Sequence, residues 1–187
     1  MFLIHGLKML LPNNLKIVNG NILNYDCDLI VQQCNCLTIH SHGLSLDISM
    51  EFPGVNFYSS RRQVGRRNLA IPEDRDIPGT CKILNNVCAI FGQWRPGKLY
   101  SRYWSNYPES DPSETKTSRE EWFISGLIDL ENKLKQFNKT ETNKYHTMAF
   151  PYRIGCGLAG GDWNRYYKMI QIFALRNPDL KVDIVKL

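Results

Sequence analysis

The sequence predicts one α/β domain over residues 1–187, a three-layer arrangement with a mixed central sheet between helices. Three observations carry that prediction. Short apolar runs alternate with stretches of helical period, the pattern of a sheet with helices packed on its faces. One pair of strands is separated only by Asn85-Asn86, which makes that pair antiparallel. A chain of 187 residues, 43% hydrophobic and 22% charged, is long enough to bury one core without disulfides or metals. It carries neither an internal repeat nor a heptad array.

The elements follow in order. Met1 to Leu11 is apolar but interrupted by His5, Gly6 and Lys8, and has no small-residue cleavage site. It reads as an edge strand or part of the core rather than a signal peptide. Leu15 to Ile22 reads as a strand with Gly20-Asn21 at its end, and Leu29 to Cys36 as a buried strand. Gly43 to Phe52 is helical, with Leu44, Ile48 and Phe52 on one face and Pro53-Gly54 as the stop. Residues 55–78 read as a basic loop. Thr80 to Leu84 and Val87 to Gln93 are the two strands of the hairpin. Residues 94–117 hold no period and read as a long loop, a feature usually functional or mobile. Ser118 and Glu121 have capping-box spacing. Phe123, Leu127, Leu130, Leu134 and Phe137 then form a helical stripe. Residues 138–144 link it to a strand over Tyr145 to Phe150. Asp162 suits the N-cap of a helix bearing Tyr166, Met169, Ile170 and Phe173 on one face. Asn177-Pro178 ends that helix, and Lys181 to Lys186 is a last strand.

Charge and cysteine content narrow the setting. The net charge is +5, with 18 acidic residues among 23 basic ones, which suits anionic ligands without requiring nucleic acid. Arg61, Arg62, Arg66 and Arg67 form the one dense cluster, readable as a solvated loop or as a phosphate-contacting patch for nucleic acid. No apolar run is long enough for a membrane span. The six cysteines include no C-x-x-C pair. They read as free, buried thiols of a reducing, cytoplasmic setting, with no metal site and no cofactor. A monomer is expected.

In α/β folds, ligands bind beyond the carboxyl ends of the strands. Two segments lie there. Pro151 to Trp163 joins a strand to a helix and holds four glycines in residues 155–161. Converging N–H groups and the helix start would make an anion site, whereas a tight structural turn is the plainer reading. The spacing matches neither the Walker A lysine pattern nor G-x-G-x-x-G. The other segment, Asn35 to Ser45, holds His40 and His42 two apart, so both face one way in an extended stretch. They read as acid–base groups or as exposed loop histidines.

Ile30-Val31-Gln32-Gln33-Cys34-Asn35 followed by Gly43-Leu44-Ser45 resembles the ADP-ribose-binding opening of macro domains. Ile154 to Gly161 resembles their diphosphate-holding loop. Leu15 to Ile22 is similar to their first strand, and Val87 to Gln93 to the middle strand of the phosphatase-like and DNA ADP-ribosyl hydrolase-like branches. The resemblance runs from about residue 15 to the end. It implies a macro-domain-like fold that binds ADP-ribose or an ADP-ribosylated macromolecule. Asn35 would contact the distal ribose, with Gly43, Leu44 and Ser45 on the first phosphate side. Ile154, Gly155, Cys156, Gly157, Leu158, Ala159 and Gly160 would wrap the diphosphate. Asn21 and Ile22 would sit at the adenine end, where the family usually has aspartate. Ala159 stands where one branch places a catalytic aspartate, and the partner lysine of that branch has no match, since the strand ends in Gln93-Trp94. The resemblance therefore implies a hydrolase acting on an ADP-ribosyl adduct or ADP-ribose 1″-phosphate, or alternatively a non-catalytic reader. Distal-ribose cleavage passes through an oxocarbenium-like state. His40, His42 and Asp162 are the candidate catalytic residues, with capping as the competing role of Asp162.

Overall fold

The protein is described by a computed structural model covering residues 12–109, 113–140 and 145–187. The described strands are β1 (Leu15–Asn19), β2 (Leu29–Asn35), β3 (Cys81–Leu84), β4 (Val87–Gln93), β5 (Thr147–Pro151) and β6 (Lys181–Lys186). They form one sheet in the order β1-β6-β5-β2-β4-β3. Every neighbouring pair is parallel except β3 and β4. Asn85 turns that hairpin with φ +52, a conformation asparagine tolerates.

Side-chain alternation builds a core on each face. Leu29 and Val31 of β2, with Cys88 and Ile90 of β4, meet the helices α2 (Lys116–Thr140) and α3 (Trp163–Arg176). Ile30 and Cys34, with Ala89 and Phe91, face the other way. They pack against Ile48 of α1 (Leu44–Glu51) and against Val55, Phe57 and Tyr58. The predicted stripe on α2 is buried from Phe123 to Leu134 and half-buried at Phe137, with Phe123 against Tyr166 of α3 at 4.7 Å between ring centroids. Gly126 lets α2 approach the sheet, since a Cβ there would lie 2.4 Å from Ile90 Cγ2.

Several boundaries differ from the sequence reading. The first strand stops at Asn19, and Ile22 begins a 3₁₀ turn, Ile22–Asn24. That turn is capped by Asn21, whose Oδ1 accepts from Leu23 N at 3.1 Å. The start of α2 is not the Ser118/Glu121 box. Thr115 N donates to Ser118 Oγ at 2.7 Å and Ser118 N donates to Thr115 Oγ1 at 3.0 Å. The reciprocal box is therefore Thr115-x-x-Ser118, three residues earlier. The stretch 94–117 contains a 3₁₀ turn, Trp104–Asn106, and the first two residues of α2. The strand expected from Tyr145 to Phe150 is Thr147–Pro151. The expectation for Met1 to Leu11 and part of that for 138–144 lie outside the described residues.

Candidate functional site

The loops after β2, β4 and β5 leave the sheet on one edge and enclose a cleft of two adjoining cavities. The first, about 490 Å³, lies over the ends of β2 and β4, between Asn35, Gln93 and the glycine loop. The second, about 550 Å³, lies between Gly20–Leu23, Asp47 and the end of β6. They share Leu44, Pro151 and Tyr152 as a common wall. Each alone is of ligand size.

One wall of the first cavity is the turn leaving β2. Asn35 Oδ1 accepts from Leu37 N at 3.0 Å and Thr38 N at 2.8 Å, and its Nδ2 donates to Thr38 Oγ1 at 2.9 Å. An amide at a strand end thus substitutes for backbone partners and folds the chain back on itself. Arg61 fixes this turn from behind. Its guanidinium donates to the carbonyls of Asn35 (3.0 Å) and Thr38, pairs with Asp76 at 2.5 Å, and lies 4.6 Å over the Tyr58 ring. Burial pushes the Tyr58 hydroxyl well above its ordinary pKa, so it stays a phenol and accepts from Asn35 N at 3.3 Å.

The opposite wall is the glycine loop between β5 and α3. Arg153, Gly155 and Gly160 all have positive φ, and Gly161 N closes the loop by donating to Gly155 O at 2.9 Å. A Cβ at Gly157 would meet nothing within 4 Å, so the backbone there faces open cleft. Leu158 is two-thirds exposed and leans across to Gly43, whose hypothetical Cβ would lie 3.1 Å from it. The two loops thus approach each other over the cavity. Burial pushes the Cys156 thiol up to about 11. It stays a protonated thiol at neutral pH and donates to Ile154 O at 3.2 Å.

Behind this wall lies a buried charge cluster that the sequence reading missed. Glu114 accepts from Trp94 N (2.9 Å), Arg95 N (3.1 Å) and Arg119 Nε (2.9 Å). Arg119 Nη1 then donates to Gly97 O at 2.8 Å and Ala159 O at 2.9 Å, joining the loop after β4 to the glycine loop. Arg95 lies 4.6 Å over the Trp104 ring, with Arg119 at 5.6 Å. Beside it, Gln33 Nε2 donates to Gln93 Oε1 at 3.0 Å and Gln93 Nε2 to Arg95 O at 3.1 Å, so an amide ladder continues into the cavity floor. The only local signal was five residues of spacing between Glu114 and Arg119, one of them outside the helical pattern.

The predicted site residues separate into groups. Asn35, Gly43, Leu44, Ser45, Ile154, Gly155, Gly157, Leu158 and Ala159 line the first cavity. Asn21 and Ile22 line the second. Cys156 and Gly160 line neither cavity: the Cys156 side chain points into the core. His42 lines the first cavity. His40 is exposed beside it, its backbone N donating to Asn68 Oδ1 at 3.1 Å. Asp162 caps α3, with Oδ1 accepting from Asn164 N at 3.0 Å and Oδ2 3.6 Å from Lys116 Nζ. Asp47, which the sequence reading did not single out, faces the second cavity with no ion pair among the described residues. No group of three or more His, Cys, Asp or Glu side chains able to hold a metal occurs among the described residues. The arginine cluster is not one set of free cations: Arg61 is buried and Arg62, although exposed like Arg66 and Arg67, pairs with Asp74 at 2.8 Å.

Comparison with solved structures places this architecture. The macrodomain of Mycobacterium tuberculosis DarG aligns over 92% of this chain and 96% of its own, with a TM-score of 0.62 and 17% identity. The macrodomain of Thermus aquaticus DarG aligns over 92% and 98%, with a TM-score of 0.60 and 16% identity. An Oceanobacillus iheyensis macrodomain with MES bound aligns over 94% and 85%, with a TM-score of 0.55 and 15% identity. No family model matches the chain, and no curated protein does. The fold is the macrodomain fold.

Proposed function

We propose that this macrodomain-fold chain binds ADP-ribose, free or carried on a macromolecule, in the two-part cleft. The observation that carries the reading is the open backbone at Gly157, in a strand-to-helix loop that faces the Gly43 turn across a cavity. Such a loop presents N–H groups to an anion at the middle of the cleft. The cavities on either side are each large enough for a nucleoside or ribose moiety. The diphosphate would sit at the shared wall, the adenosine end toward Asn21 and Ile22, and the distal ribose toward Asn35. Calorimetric titration tests this: ADP-ribose should bind with 1:1 stoichiometry and more tightly than AMP, which leaves the Asn35 cavity empty. Absence of heat with ADP-ribose, in a folded sample, would sink the reading.

Turnover is the finer part of the proposal. Hydrolysis at the distal ribose needs an acid or base there, and His42 is the acid–base side chain lining that cavity. His40 beside it and Asp162 at the α3 cap are the other candidates. Asp162 is held by its helix and Lys116. Among the described residues no Asp or Glu lines the first cavity, an observation that favours the alternative of a non-catalytic reader. Incubation with ADP-ribose 1″-phosphate and with ADP-ribosylated DNA or protein separates the two. A hydrolase should lose at least about a hundredfold in rate on His42→Ala with affinity retained. A parent that binds ADP-ribose but turns over none of these substrates is a reader.

A further inference from the structure

We infer that Arg153 and Lys186 form a side-chain clamp for two linked phosphates at the wall shared by the two cavities, so that side-chain charge, and not backbone N–H groups alone, selects the ligand. The inference rests on the ADP-ribose reading for what flanks the phosphates; the placement of the two cations does not depend on it. Among the described residues, Arg153 is the one Lys or Arg that lines the first cavity and Lys186 the one that lines the second. Tyr152 lines both and stands between them. Arg153 follows it in the chain, and Lys186 Nζ lies 5.3 Å from the centroid of its ring. That ring is in turn seated against Trp163, at 4.9 Å between centroids.

Neither cation is spent inside the protein. Both are exposed, and among the described residues neither has a carboxylate partner. The buried guanidiniums around the cleft differ: Arg61 pairs with Asp76, and Arg95 and Arg119 with Glu114. The backbone at Arg153 adds a second observation. Ile154 N donates to Pro151 O at 3.0 Å, closing a turn whose third residue is Arg153, with φ +61. A third position with positive φ ordinarily takes glycine or asparagine, so an arginine holds the turn under strain. No hydrogen bond or ion pair of its side chain among the described residues offsets that strain. A charged side chain kept at a strained position, facing a cavity and without a partner, points to a ligand of opposite charge. A single phosphate would meet one of the two cations. A diphosphate laid along the Tyr152 wall meets both: a planar fork that binds phosphate oxygens in pairs on one side, a point charge on the other.

The test titrates the full chain with ADP-ribose, AMP and inorganic pyrophosphate by calorimetry at low and moderate salt, with a thermal melt of each protein. The parent should bind ADP-ribose and pyrophosphate more weakly as salt rises. Arg153→Gly should melt at or above the parent temperature, because glycine relieves the turn, and yet bind both ligands about tenfold more weakly or worse. Arg153→Asn, which also tolerates positive φ, should behave alike, and Arg153→Lys should recover part of the affinity. Lys186→Gln should weaken ADP-ribose more than AMP, and the double variant should lose most of the salt dependence. A folded Arg153→Gly or Arg153→Asn protein that binds ADP-ribose like the parent overturns the clamp and leaves the ADP-ribose reading standing. A parent that binds pyrophosphate, loses it on Arg153→Gly and gives no heat with ADP-ribose supports the clamp and sinks that reading. A parent that binds neither ligand overturns both.

Discussion

Two glycines two residues apart should respond oppositely to substitution, and the contrast tests how the cleft is built. Gly155 has φ +71, and an added Cβ would lie 2.5 Å from Tyr166 Cε1 and 2.6 Å from Gln33 Oε1. Tyr166 is fully buried against Phe123, so its ring cannot yield freely. The left-handed backbone costs an alanine about 1–2 kcal/mol, and overpacking adds roughly 1–3 kcal/mol. Gly155→Ala should therefore lose about 2–5 kcal/mol, a fall in Tm of roughly 5–15 °C for a chain of this size. Gly157 lies outside the left-handed region and its Cβ would meet nothing within 4 Å. Gly157→Val should melt within about 2 °C of the parent, since changes away from packed or strained positions cost little. Its isopropyl group would occupy the proposed phosphate position. ADP-ribose affinity should fall at least about a hundredfold, equivalent to ~2.8 kcal/mol. Thermal melts and calorimetry on the three proteins suffice. A Gly157→Val protein that binds like the parent, or a Gly155→Ala protein that melts like it, would refute the reasoning.

Arg119→Ala strands the buried Glu114 carboxylate and releases Gly97 and Ala159. It should lose about 3–5 kcal/mol in chemical denaturation, and a loss below 1 kcal/mol would mean that water replaces the guanidinium. Hydrogen bonding from the Arg176 guanidinium holds the Glu131 carboxyl down to about 2 from an ordinary 4.5. Its folded value is depressed, so its stabilisation is present above pH 4.5 and lost as pH falls toward 2. The Tm gap between the parent and Glu131→Gln should be constant at neutral pH and close on acidification through that window; a pH-independent gap would count against the pairing. Burial pushes the Cys34 and Cys156 thiols up to about 11 and those of Cys36 and Cys88 well above their ordinary value. A disulfide reagent at pH 8 should label the native protein slowly, and all six thiols after denaturation without reductant. Fewer than six would indicate a disulfide.

The parts legible in the sequence are those whose signal is local. β2 and β4 show as short β-rich runs because both faces of a central strand are buried. Asp162 shows as a cap because its acceptor and the donor Asn164 N lie two residues apart. The glycine loop shows because a close turn needs residues without side chains. What stayed hidden depends on tertiary partners. Arg61 reads like Arg62, Arg66 and Arg67, yet only Arg61 finds Asp76, fifteen residues on, beneath the β2 turn. The start of α2 is ambiguous in the sequence because Thr115-x-x-Ser118 and Ser118-x-x-Glu121 have the same spacing, and in the structure the first of them forms the box, beside the Glu114–Arg119 pair. Asp47 carries no mark in the sequence, because nothing in α1 distinguishes which of its exposed positions faces the cleft.

Arg61 and Arg119 also explain how the loops of the cleft hold their shape. Each guanidinium is buried and paired with one buried carboxylate, Asp76 or Glu114. Each also donates to backbone carbonyls of the cleft walls: Asn35 and Thr38 on one side, Gly97 and Ala159 on the other. A planar, permanently charged donor fork suits this role better than lysine, because several carbonyls at fixed angles can be held at once. Burying two such pairs contributes little net stability and can even cost some. Their effect falls on the loops, whose carbonyls would otherwise turn to water and move with it. Ordering a loop on binding is a direct loss of affinity. Walls fixed from behind present a formed surface, with the open backbone at Gly157 already in place for the proposed anion.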